Sequence, residues 1–130
     1  MGTKLALVLE HNPDARSGLE ELLRISGFEV DGAEDGTRAL AMLSRHPDVV
    51  VLDLSLGAGD TLNVIKRVKA ENERAFVVVF SGWHHLEATA RAAGADAYIL
   101  KPDVDALHGL LTRLAAGETE VLPKKKADRG

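Results

Sequence analysis

Four apolar runs end in residues that could do chemistry. Lys4-Leu5-Ala6-Leu7-Val8-Leu9 leads into Glu10-His11-Asn12, and Asp48-Val49-Val50-Val51-Leu52 leads into Asp53. Ala75-Phe76-Val77-Val78-Val79-Phe80 leads into Ser81, and Ala97-Tyr98-Ile99-Leu100 into Lys101-Pro102. Gathered in one place, these ends supply two carboxylates, a hydroxyl, an ammonium and an imidazole. That set suits an acyl phosphate. A carboxylate nucleophile needs its charge offset as an anionic phosphoryl group approaches. Two carboxylates about 4 Å apart repel by about 4 kcal/mol at an effective dielectric of about 20. A hard cation such as Mg²⁺ relieves that repulsion and neutralises phosphoryl oxygens. An ammonium can pair with one phosphoryl oxygen, and a hydroxyl can hydrogen-bond another.

The surrounding pattern says how these ends could meet. The apolar runs lack helical spacing and read as buried strands, with Phe28-Glu29-Val30 opening a further one. Between them lie helical stripes: Leu19, Leu22 and Leu23; Ala39, Leu40 and Leu43; Leu62, Ile65 and Val68; Leu107, Leu110, Leu111 and Leu114. Asn12-Pro13 reads as an N-cap followed by proline at the first helical position, Gly27 as the end of that helix, and Asp60 as a further N-cap. The helix expected over roughly 84–93 is alanine-rich, with Leu86 its one large apolar residue, and is the least firmly anchored element. Strands apolar throughout, alternating with amphipathic helices, imply a parallel sheet covered on both faces. The expected fold is an open, doubly wound, five-stranded α/β sheet. Such sheets place their sites beyond the carboxyl ends of the strands, where the residues above fall.

Composition narrows the class. The chain has 130 residues, 45% hydrophobic and 28% charged, without cysteine. This is one soluble domain that excludes disulfide scaffolds and thiolate chemistry. No apolar run approaches the ~20 residues of a bilayer span, and the start lacks the layout of a signal peptide, so a cytoplasmic protein is expected. The net charge is −4. Residues 123–130 hold four basic residues and one acid; without them the chain carries 12 basic and 19 acidic residues, a net of −7. That acidic body argues against a nucleic-acid surface. The basic end reads as a solvated tail or linker remnant.

At these residues the sequence resembles the response-regulator receiver domain of bacterial two-component signalling. The resemblance rests on Val8-Leu9-Glu10-His11-Asn12-Pro13, Val51-Leu52-Asp53-Leu54, Phe80-Ser81-Gly82 and Gly94-Ala95-Asp96-Ala97-Tyr98-Ile99-Leu100-Lys101-Pro102, and covers roughly residues 4–116. It implies a flavodoxin-like (β/α)5 sheet of strand order 2-1-3-4-5, with a receiver over 1–118 and a basic tail or linker remnant over 119–130. It implies Asp53 as phosphoacceptor, charged by a sensor histidine kinase or phosphotransfer protein. Ser81 and Lys101 match the family's phosphoryl-binding hydroxyl and lysine. Tyr98 matches the aromatic that turns inward as the hydroxyl is drawn to the phosphoryl group. That shift reshapes the face of helix four, strand five and helix five, where a downstream protein partner docks and a homodimer would form. Glu10, Asp53 and the Ser55 carbonyl match the Mg²⁺ ligands, and Gly82 the small residue beside the phosphoryl group. The chain is expected not to be an enzyme in its own right, and to contact neither nucleic acid nor membrane.

Three departures qualify that match. His11 stands where the family usually carries a second acid, so Mg²⁺ binding is expected to be weak. A protonated His11 would bring positive charge between Glu10 and Asp53 in the metal's stead. Gly57 and Thr61 replace a common proline and glycine after Asp53, loosening the loop that carries Ser55. Trp83 brings a bulky indole close to the phosphoryl position, where it would shield an aspartyl phosphate from water.

Two other readings stay open. A pseudo-receiver of the same fold would act through protein contacts without phosphorylation, supported by His11 and opposed by Asp53, Ser81 and Lys101 together. A phosphatase with an aspartyl nucleophile needs a placed second acid, and a flavin protein needs a glycine- and hydroxyl-rich loop after strand one. Neither feature is evident. The adjacent His84 and His85 cannot share a helix face as metal ligands. About fourteen residues follow the last helix, too few for a DNA-binding output domain.

Overall fold

A computed structural model describes residues 3–54 and 58–118. Ser55 and Gly57, and the basic tail over 119–130, lie outside them. Strand β1 (Leu5–Leu9) is followed by α1 (Pro13–Ser26), β2 (Glu29–Ala33), α2 (Gly36–Ala41), β3 (Val49–Leu52) and α3 (Ala58–Glu71). Strand β4 (Phe76–Ser81), α4 (Glu87–Ala93), β5 (Ala97–Leu100) and α5 (Val104–Ala115) complete the order. Short 3-10 turns, Met42–Arg45 and His84–Leu86, extend α2 and precede α4. The sheet is parallel, with strand order β2-β1-β3-β4-β5.

Alternation along the strands divides the core. Leu7, Leu9, Val50, Leu52, Val77 and Val79 face one layer with Ala39 of α2 and Val64, Ile65 and Val68 of α3. Ala6, Val8, Val49, Val51, Val78 and Phe80 face the other, with Leu19 and Leu23 of α1 and Leu107, Leu111 and Leu114 of α5. Because both faces are buried, β1, β3 and β4 are apolar up to their carboxyl ends, while the edge strand β2 alternates Glu29, Val30 and Asp31.

Local signals end the elements as their chemistry requires. The Asn12 side chain accepts the Asp14 and Ala15 N–H groups, both at 2.9 Å, with Pro13 opening α1. Gly27 closes α1 in the left-handed region at φ 112°, where a side chain would be strained and would crowd Ala115. Helix α3 starts at Ala58, so Asp60 lies in its first turn rather than capping it. Helix α4 is held by a small residue, fully buried Ala90, with Leu86 only partly buried. Among the described residues, no helix is long and apolar enough to cross a membrane.

Candidate functional site

Strand register builds the site. Leu9 pairs with Leu52, and Leu52 with Val79, so Glu10 and Asp53 emerge side by side at the carboxyl edge. The ladder continues one residue beyond the strands: Glu10 N–H donates to the Ala33 carbonyl (3.1 Å), Asp53 N–H to Leu9 (3.3 Å) and Lys101 N–H to Ser81 (3.0 Å). These bonds aim the side chains from rigid backbone rather than from free loops.

The two acids are nearly buried, Glu10 at 5% and Asp53 at 7% exposure. Lys101 Nζ stands 2.9 Å from Asp53 Oδ2 and 3.4 Å from Glu10 Oε1. Its ammonium also lies 5.9 Å from the centre of the Phe80 ring, within reach of a cation–π attraction. Burial alone would depress the Lys101 pKa, but the Asp53 hydrogen bond and charge, joined by Glu10, outweigh it and raise it above the ordinary lysine range. Lys101 is therefore a firmly charged counter-ion to both carboxylates. The Lys101–Pro102 peptide is cis.

The expected place of His11 differs. The structure sets the Lys101 ammonium against both carboxylates, while His11 is exposed on the turn into α1. The reason is reach: the long stem of Lys101 extends from the end of β5 across the strand ends, whereas His11 turns away with the chain.

Ser81 is fully buried, and its Oγ accepts the Trp83 N–H at 3.1 Å. The Tyr98 hydroxyl donates to the Trp83 main-chain carbonyl. Ser81 and Tyr98 thus hold both polar backbone groups of Trp83. Burial raises the Tyr98 pKa above the usual phenol range; a hydrogen bond from Ser81 opposes the shift, and the charges of Glu87 and Asp53 add to it. The Trp83 indole is 46% exposed and meets the His85 ring edge-on at 5.5 Å. At Gly82 an added Cβ would meet open space, so packing within the chain does not require glycine there.

Two contacts were not read from the sequence. The Thr61 hydroxyl donates to the Asp53 carbonyl at 3.4 Å from a position 4% exposed. Arg16 Nη1 donates to the Glu10 carbonyl at 2.9 Å and the His11 carbonyl at 3.5 Å. A basic side chain soon after an acidic strand end was the available signal for Arg16. For Thr61 it was a hydroxyl among the apolar positions of α3.

The donor set fits a hydrated Mg²⁺. Glu10 and Asp53 offer hard carboxylate oxygens, and Mg²⁺ is commonly held by one or two carboxylates with water and a phosphate completing its octahedron. Among the described residues no group of three His, Cys, Asp or Glu side chains is placed to hold an ion, so a pair of carboxylates is what the side chains supply.

Comparison with known proteins follows the same line. Residues 6–112 match the family described as response regulator receiver domain. The transcriptional regulatory protein PrrA of Mycobacterium tuberculosis is 35% identical over 113 residues, covering 85% of this chain and 48% of PrrA. The chain thus spans about half the length of that curated relative. Among solved structures, the response regulator TrrA of Thermotoga maritima in complex with Mg²⁺-BeF superposes with a TM-score of 0.75 at 28% identity, covering 85% of this chain and 98% of that one. A CheY-like receiver domain from Methylobacillus flagellatus gives a TM-score of 0.75 at 30% identity over 87% and 99% of the two chains.

Proposed function

The chain belongs to the response-regulator receiver family, and from that premise we propose that Asp53 accepts a phosphoryl group from a histidine kinase or phosphotransfer protein. The observation that carries this reading is the ammonium of Lys101 set 2.9 Å from Asp53 Oδ2 and 3.4 Å from Glu10 Oε1. In the reaction an Asp53 carboxylate oxygen attacks phosphorus. The bond from phosphorus to the donor's imidazole nitrogen, or to the oxygen of a small acyl phosphate, breaks with its electron pair leaving on the donor. Lys101, freed from one carboxylate oxygen, pairs with a phosphoryl oxygen. Ser81 donates its hydroxyl proton to another. Gly82 matches the family's small residue beside the phosphoryl group, and a Cβ there would meet none of the described residues beyond its chain neighbours. Glu10, Asp53 and the Ser55 carbonyl are the residues that would hold Mg²⁺. When bound, Mg²⁺ supplies charge neutralisation for the carboxylates and phosphoryl oxygens. With His11 in place of a second acid, that binding is weak.

Output follows from Ser81. Turning its proton to the phosphoryl group withdraws a hydrogen bond from Tyr98, which is also tied to the Trp83 carbonyl. The β4–α4 connection and the α4–β5–α5 face shift with it, and a downstream protein, or a second copy, reads that face. An open apolar groove of about 480 Å³ between α1 and the start of α5 adjoins the site, bordered by Lys101 and Pro102. Residues 1–118 form the receiver of this cytoplasmic signalling protein, with 119–130 a basic tail or linker remnant.

A second reading is a pseudo-receiver that signals without phosphorylation. It is favoured by the exposed His11, with both carboxylates already facing Lys101. One experiment separates the two. The protein is incubated with acetyl phosphate, with and without Mg²⁺, and intact mass is followed beside Asp53→Asn. A single phosphoryl-sized gain absent from the variant supports the phosphoacceptor. No gain under any condition supports the pseudo-receiver.

A further inference from the structure

Arg16 belongs to none of the groups that face a phosphoryl group, yet its guanidinium holds the turn that carries Glu10. Its Nη1 collects two successive main-chain carbonyls, Glu10 at 2.9 Å and His11 at 3.5 Å. Arg16 is half-buried, one turn into α1. That helix starts on Asn12, whose side chain caps the Asp14 and Ala15 N–H groups. Asn12 in turn donates its own N–H to Glu10 Oε2 at 3.0 Å. On the opposite side, Glu10 N–H is bound to Ala33 of β2. The Glu10 backbone is therefore clamped between an edge of the sheet and a guanidinium mounted on α1.

We infer that Arg16 is a positioning residue for the metal-binding carboxylate of Glu10, acting through the Glu10 and His11 carbonyls; this rests on the reading that Glu10 and Asp53 hold Mg²⁺. The chemistry favours arginine for the task. The two N–H donors of Nη1, fixed in the guanidinium plane, can take one neighbouring carbonyl each, whereas an ammonium acts as a compact point charge. With His11 in the second position, Glu10 is the one acid this turn contributes. Any freedom in its backbone passes directly to the remaining ligand. Partners that orient a ligand without touching the ion commonly change metal affinity by about 10–100-fold when removed.

The test is Mg²⁺ binding to the unphosphorylated protein, read calorimetrically without phosphodonor, with thermal unfolding of each variant run in parallel. Arg16→Met is expected to raise the half-saturating Mg²⁺ concentration about tenfold, and Arg16→Lys to fall between it and the parent. Arg24→Met removes an exposed arginine on the same helix, held only by a 3.9 Å pair with Glu20, and leaves Mg²⁺ affinity unchanged. If Arg16→Met does not fold, Arg16→Gln, which keeps an N–H donor but loses the charge and the reach, carries the same expectation. Parent-like affinity in the folded Arg16 variants, while Asp53→Asn abolishes binding, overturns the positioning role alone. No Mg²⁺ binding by the parent protein overturns the metal reading, and this role with it.

Discussion

Lys101 reaches back from the end of β5 to set its ammonium 2.9 Å from the Asp53 carboxylate, joining residues 48 positions apart. The pair is the electrostatic centre of the strand-end cluster. Removing the ammonium leaves two nearly buried carboxylates facing each other across its former place. Lys101→Met is expected to cost about 1–2 kcal/mol, between an exposed pair and a fully buried one, because the lysine is partly solvated. It is also expected to slow phosphoryl labelling about tenfold or more, as preorganised cations at developing charge generally do. Urea midpoints and intact mass against time measure the two effects. A variant that labels at the parent rate would contradict the assigned role.

The two raised pKa values give stability a direction in alkaline buffer. Lys101 and Tyr98 both hold their protons to higher pH when folded than their ordinary ranges allow. The folded state thus binds more protons than the unfolded one in that window. Their contribution is complete at neutral pH and below, then fades as pH rises through their ordinary ranges to the raised folded values. Thermal midpoints between neutral and strongly alkaline pH should show that decline. Lys101→Met and Tyr98→Phe should each flatten part of it, and an unchanged slope in both variants would remove these groups as its source.

Trp83 is the only tryptophan in the chain, so intrinsic fluorescence reports on the β4–α4 connection. Its backbone is held by Ser81 and Tyr98 while its indole stays half exposed. Trp83→Ala is expected to shorten the life of phosphorylated Asp53 several-fold by opening the phosphoryl group to water, with the protein remaining folded. Loss of the mass gain after removal of the donor gives the rate. An equal lifetime in both proteins rules out shielding by the indole.

At the amino ends of the strands, away from the acids, Asp96 Oδ2 accepts the Val77 N–H at 2.9 Å and Lys69 Nζ at 2.7 Å. This carboxylate fixes the entry to β5 against β4. Asp96→Ala strands the Val77 amide hydrogen and takes the carboxylate from Lys69 Nζ, which keeps the Glu73 and Ala75 carbonyls at 3.2 and 2.7 Å, and is expected to cost about 1–2 kcal/mol. Labelling of Asp53 should persist under conditions where the variant is folded. Parent-like denaturant stability would show that water replaces the carboxylate at no cost.

Much of this architecture is legible in the sequence. Residues 49–52 and 76–80 are apolar at every position because both sheet faces are covered, and the same feature marks them in the sequence. Asn12-Pro13 and Gly27 carry their own backbone preferences, so the limits of α1 follow from residue type. The start of α3 does not follow from residue type. Asp60 is a good capping residue, yet the helix begins at Ala58, showing that capping preference alone did not set its first turn.

Which residues close the strands follows from local sequence, since alternation, strand length and turn chemistry act over a few neighbouring positions. Local sequence therefore brings Glu10, Asp53, Ser81 and Lys101 to one edge. How they pair is set by packing in three dimensions. That Lys101 faces both acids while His11 is exposed depends on the register of β1, β3, β4 and β5 and on the reach of one long side chain. That Arg16 grips the Glu10 turn and Thr61 bonds the Asp53 carbonyl depends on where α1 and α3 settle against the sheet. Those contacts are set by packing between distant segments, and hydrophobic periodicity does not encode which polar atom meets which.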